Sequence, residues 1–162
     1  MKKLLMGAVA LAAMPAVPAF AADYTVTGNV AAACFVGTGG TLAFGAIQTD
    51  ATTGKLPGDQ DASTTTSDLW CNGVNSTLSF HSDGQLKTLT KTTNDPAFTS
   101  TLNFTPSVSL AGHDALTSDT PVALGATYGT LTVRADNLHS TLIPVAANDY
   151  TGTITVTLSP AI

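Results

Sequence analysis

The chain has 162 residues, 11 acidic residues against six basic ones, and a formal charge of −5. All 11 acids are aspartates, and beyond Lys2 and Lys3 the cations are only Lys55, Lys87, Lys91 and Arg134. Such a surface repels nucleic acid and anionic lipid, and the scarcity of charge and of good helix formers, against an abundance of Thr, Ser, Gly and Ala, argues for strands and turns over helices.

At the N-terminus, Lys2 and Lys3 precede an apolar run over residues 4–20 that Pro15 and Pro18 interrupt. Ala19-Phe20-Ala21 has the small-x-small pattern of a cleavage site. Residues 1–21 are therefore expected to be a secretory signal, with the mature domain over residues 22–162. The run falls short of the ~20 uninterrupted apolar residues that a bilayer span needs, so no membrane insertion is expected. Export leads to an oxidising compartment, where the two cysteines, Cys34 and Cys71, are expected to pair. Closing the loop between them is worth about 4 kcal/mol in the chain-entropy view of disulfides.

Period-two alternation then runs through the chain. Tyr24, Val26, Gly28, Val30, Ala32 and Cys34 share one face of a long first strand, residues 25–34. Gly37-Thr38-Gly39-Gly40 is a turn, and residues 41–47 form a second strand with Leu42 and Phe44 on one face. Residues 48–67 are polar, contain Gly54, Pro57 and Gly58, and read as a long loop inside the disulfide ring. In residues 67–71, Leu69 and Cys71 alternate inward. Further strands are expected over residues 77–81, 86–89 (a weak edge), 101–110 (broken at Pro106), 122–124 and 130–135. Residues 142–145 suit an edge because of Pro144. Residues 151–158 form the strongest strand pattern in the chain. Eight or so short strands separated by turns indicate an all-β, two-sheet antiparallel sandwich in one domain.

The chemistry-bearing residues are sparse. His81, His113 and His139 lie on separate segments without metal-ligand spacing. Ser82 and Asp83 beside His81 are hydrolase residue types, but no nucleophile elbow accompanies them. Asp50, Asp59 and Asp61 lack the spaced carboxylates of a calcium loop. No enzymatic activity, metal or cofactor is expected. Trp70, next to Cys71, is expected to pack in the core against the disulfide, with an aromatic platform for sugar as the alternative.

Three ordered stretches carry a family resemblance. Gly28-Asn29-Val30-Ala31-Ala32-Ala33-Cys34-Phe35-Val36 resembles the opening of chaperone–usher fimbrial subunits. Thr41-Leu42-Ala43-Phe44-Gly45-Ala46-Ile47 resembles a strand shared by those subunits and by spore coat protein U-like domains. Asn148-Asp149-Tyr150-Thr151-Gly152-Thr153-Ile154-Thr155-Val156-Thr157-Leu158 resembles their closing strand. The resemblance implies an immunoglobulin-like sandwich that lacks its final strand. It implies an exported structural subunit that assembles by donor-strand exchange into a fimbria, pilus or surface coat. The partners implied are a periplasmic chaperone, an outer-membrane usher and neighbouring subunits of the same kind, and the destination is the cell surface. The acceptor groove would be lined by Val30, Ala32, Ile154, Val156 and Leu158, and Tyr24 and Val26 would form the donor segment.

Two features depart from the family pattern. Residues 22–27 span only about 20 Å as a strand, shorter than family donor segments. Pro160 ends the last ladder where the family carries an aromatic near its C-terminus. An accepting-only terminal subunit, a coat-type relative and a subunit whose donor overlaps its first strand all remain open. The alternative function is a monomeric secreted or periplasmic binding module of carbohydrate type, suggested by the long loop over residues 48–67.

Overall fold

A computed structural model describes residues 25–58, 60–89, 94–147 and 149–161. The expected leader, residues 1–21, and Tyr24 lie outside the described residues. The chain divides into two units at residue 30. Of the first, residues 25–30 have no regular structure and are exposed.

The second unit is all-β, and no helix occurs among the described residues. Its strands are β1 (Cys34–Val36), β2 (Thr65–Cys71), β3 (Thr77–His81), β4 (Gln85–Lys87), β5 (Phe98–Thr99), β6 (Thr101–Leu110), β7 (Val122–Ala123), β8 (Thr127–His139), β9 (Ile143–Pro144) and β10 (Thr155–Ser159). Five of them form one antiparallel sheet in the order β1-β2-β8-β6-β4, curled as a half-barrel. A three-stranded antiparallel sheet has the order β10-β3-β7, and β5 pairs with β9 in parallel.

Alternation decides what each strand buries. Leu69, Val108, Leu110 and Leu131 from the large sheet share a core cluster with Leu78 and Phe80 of β3. Leu56, Ala62, Leu86, Leu102, Phe104, Ala135 and Leu138 form a second cluster, against which Leu42, Phe44, Ile47 and Tyr150 pack. Ile154 packs against both.

Several expectations are corrected. The first strand is confined to Cys34–Val36, and residues 25–33 carry no ladder. Gly, Asn and Ala, which dominate residues 28–33, are poor strand formers. The Asn72 side chain holds residues 31–33 instead: the Ala33 N–H donates to its Oδ1 at 2.6 Å, and its Nδ2 donates to the Ala31 carbonyl at 3.0 Å. Residues 41–47 form no strand either. They keep the expected alternation, with Leu42 and Phe44 half-buried and Ala43 exposed, and Ala43 exchanges two hydrogen bonds with Ser63.

Pro106 does not break β6, which runs unbroken from Thr101 to Leu110. Between Asn103 and Thr105 the register with β8 slips by one residue, and Asn137 on β8 sits at φ 55°. The irregularity is a bulge, with the left-handed conformation falling on an asparagine, which tolerates it. Trp70 is exposed, not packed in the core, because Leu69 and Cys71 on either side already face inward. The final strand begins at Thr155 rather than residue 151 and stops at Ser159, before Pro160.

Cys34 and Cys71 are directly opposite each other on β1 and β2 and form the disulfide, 37 residues apart in sequence. Ser76 is fully buried beside it, its Oγ 2.8 Å from the Cys71 sulfur and donating to the Gly73 carbonyl at 2.8 Å. The C-terminus docks on the same turn: the Asn75 N–H donates to the Ala161 carbonyl. A Cβ at position 73 would run into that carbonyl, which requires the glycine.

With only three residues in its ladder, β1 depends on the covalent link. Replacing both cysteines with alanine is expected to lower the unfolding free energy by about 2–4 kcal/mol, measured by urea denaturation of the unreduced protein. Equal stability would show that the ring constrains nothing.

Candidate functional site

The apolar core is not closed on all sides. A groove of about 690 Å³ opens between residues 36–47 on one side and residues 150–156 on the other. Leu86, Phe104, Leu131, Val133 and Ala135, from three strands of the large sheet, form its floor. Leu42 and Phe44 line the first wall, and Ile154 and Val156 line the second. The Phe44 and Phe104 rings approach to 6.2 Å between centroids at an interplanar angle of 57°.

The second wall is held from below. The Lys87 and Thr151 backbones exchange hydrogen bonds at 2.8 and 3.0 Å. A Cβ on Gly152 would run into the Gln85 carbonyl, so only glycine lets this segment cross β4 so closely. The Ser82 hydroxyl donates to the Thr153 carbonyl at 2.8 Å. The Tyr150 hydroxyl donates to the Val145 carbonyl at 3.0 Å, and burial raises its pKa above the usual phenolic value.

β10 lies at the groove and, among the described residues, pairs on one side only, with β3. The polarity of that edge follows from β3. The Ser76 and Phe80 carbonyls accept from Leu124 and Asp119, on the side away from β10. A residue's N–H and C=O point the same way in a strand and alternate along it. Thr77, Ser79 and His81 therefore bond to Ser159, Thr157 and Thr155. Val156 and Leu158 turn their N–H and C=O groups toward the open edge. Both residues are half-buried and pack against the core cluster. Backbone capacity and apolar contact thus coincide at the same two positions.

The residues named from sequence are placed as follows. Ile154 and Val156 line the groove, and Leu158 continues the same face of β10. Ala32 is half-buried but belongs to no strand, and Val26 and Val30 are exposed without regular structure. Leu42, Phe44, Leu86 and Phe104 were not named for the groove. The 41–47 alternation signalled the first two. The floor had no local signal, because it is assembled from strands far apart in sequence.

A second cluster sits near the start of β10, whose Thr155 pairs with His81. His81 Nδ1 lies 2.7 Å from Asp119, and its Nε2 lies 3.6 Å from Asp83, which also faces Lys87 at 3.6 Å. The Asp119 hydrogen bond, followed by its charge, raises the His81 pKa above 6.5. The same bond and a Ser118 hydroxyl hold the Asp119 carboxyl below its ordinary value. The imidazole is engaged by carboxylates at both nitrogens, while the Ser82 hydroxyl is directed to Thr153. Among the described residues, no three His, Cys, Asp or Glu side chains come together as metal ligands.

No protein-family model matches the chain, and neither does any curated protein or solved structure compared with it.

The His81–Asp119 pair has a defined pH signature. Because the folded-state pKa is raised, its stabilisation is present in full below the unfolded histidine value of about 6.5 and is lost as pH rises through the folded value. An NMR titration is expected to place the His81 midpoint above the ordinary histidine value, and Asp119→Asn is expected to bring it down. An unchanged midpoint in the variant would assign the shift to another group.

Proposed function

We propose that this chain is an exported structural subunit that completes its fold with a strand borrowed from another protein. The observation that carries this reading is the open edge of β10 above an apolar groove. An added strand would bond along Val156 and Leu158 and set alternate side chains into the space between Phe44 and Ile154. Backbone hydrogen bonds supply affinity in strand addition, and side-chain pockets supply register. An edge of this kind left bare in water is a template for aggregation, so it needs an escort during export and a permanent occupant afterwards.

On this reading the fold is an immunoglobulin-like sandwich one strand short. A periplasmic chaperone supplies the first strand, an outer-membrane usher hands the subunit on, and a neighbouring subunit's N-terminal extension supplies the last. The product is a fimbria, pilus or coat at the cell surface. The disulfide is compatible with export, and the charged n-region and apolar run of residues 1–21 fit a secretory leader. Residues 25–30, exposed and outside any strand, hold no ladder partner of their own and so are free to act as a donor segment on this reading.

Electron microscopy and mass spectrometry of material sheared from the native cell surface test this directly. The chain is expected in polymers, and Val156→Asp is expected to abolish them by placing an unpaired charge in the apolar groove beneath the borrowed strand. Recovery of this chain solely as free monomer, or fibres that form normally from the Val156→Asp variant, would refute it.

A further inference from the structure

The outer face of the large sheet carries a feature that strand exchange does not use. Phe35, Trp70 and Tyr128 lie on three adjacent strands in a single row, since Phe35 is opposite Trp70 and Trp70 is opposite Tyr128. All three are exposed, at 48%, 40% and 79%. Strands are ~4.8 Å apart, so the row extends the rings over about 10 Å. The inward neighbours Cys34, Val36, Leu69 and Cys71 already fill the interior face, so the core does not require these rings. Large apolar side chains held out of the core in a contiguous row mark a binding surface.

The next rows along the same face identify the chemistry of the occupant. Asp68 lies opposite Thr130, and Thr66 opposite Thr132, which in turn is opposite Ser109. Asp68 is exposed, and its carboxylate has no salt bridge or side-chain hydrogen bond among the described residues. Arg134, on the same face of β8, lies beyond these rows and is engaged by Asp136 at 3.2 Å. Rings bordered by a carboxylate and hydroxyls suit a ligand with apolar C–H faces and many neutral hydroxyls. An anionic polymer would meet the Asp68 charge, and a flat apolar protein surface would bury that carboxylate without a partner.

We propose that this face is a platform for a neutral oligosaccharide. Its pyranose C–H faces lie on Phe35, Trp70 and Tyr128, and its hydroxyls donate to Asp68 and exchange hydrogen bonds with the flanking threonines. The platform faces away from the groove, so it stands or falls independently of strand exchange.

The chain's single tryptophan is Trp70, which makes its fluorescence a direct reporter. The mature chain is titrated with maltohexaose, cellohexaose, xylohexaose and chitohexaose by calorimetry and by fluorescence. At least one is expected to bind and to blue-shift Trp70. Tyr128→Ala is expected to weaken that binding about tenfold, the factor one ring contact supplies, with its thermal unfolding unchanged. Asp68→Asn is expected to weaken binding while leaving the blue shift in place at saturation. Three results would overturn the proposal: no heat or spectral change with any of the four at millimolar concentration, binding that Tyr128→Ala leaves intact, or a self-associated chain that Tyr128→Ala converts to monomer, which would assign the face to a second copy.

Discussion

The open edge of β10 is the constraint on which the rest of this structure turns. A strand with a partner on one side leaves alternate backbone groups to find others, and here those groups belong to Val156 and Leu158. Their side chains are half-buried against the core, so the edge cannot simply be treated as a polar rim. Solvent can satisfy the backbone groups but gains nothing from the apolar floor below. A strand laid alongside would satisfy both at once. That coincidence distinguishes this groove from an ordinary surface cleft, in which polar and apolar demands fall on different atoms.

The disulfide shapes the opposite wall. β1 has three residues, and among the described residues no further strand begins until Thr65, the Gln60–Leu138 bridge standing alone between them. Residues 36–47 are tied at one end by the Cys34–Cys71 bridge and along their length by the Ala43–Ser63 hydrogen bonds. Leu42, Phe44 and Ile47 then rest on the cluster around Phe104. That wall is held by side-chain packing, the covalent ring and a few loop hydrogen bonds in place of a strand ladder. The core pays for this in apolar contact, since the cluster at the groove is lined on its open side by half-buried residues.

What was legible in the sequence follows the range of the forces involved. Alternation within one strand is local, and it correctly set Leu69 and Cys71 inward and Leu42 and Phe44 on one side. The same period, applied to Trp70, puts it outside, although its bulk and its neighbour Cys71 suggested the core. Strand length is less local. Residues 28–33 alternate, but alanine and glycine bury too little to hold a ladder, and Asn72 captures the segment instead. The bulge at Asn137 could not be read from residues 101–110, because the proline is on β6 while the adjustment is on β8. The groove floor needed tertiary information altogether. Leu86, Phe104 and Leu131 are unremarkable in sequence and meet through sheet order.

The two faces of the large sheet have separate tasks in this account. The inner face floors the groove, and the outer face presents the aromatic row and its hydroxyl border. Hydrogen exchange of the backbone amides in the lone, disulfide-bonded mature chain tests the central point most directly. The account predicts that the Val156 and Leu158 amides exchange rapidly while those of Thr155 and Thr157, bonded to β3, are protected, and that assembly slows the exposed pair. Uniform protection along β10 in the isolated monomer, unchanged on assembly, would contradict it.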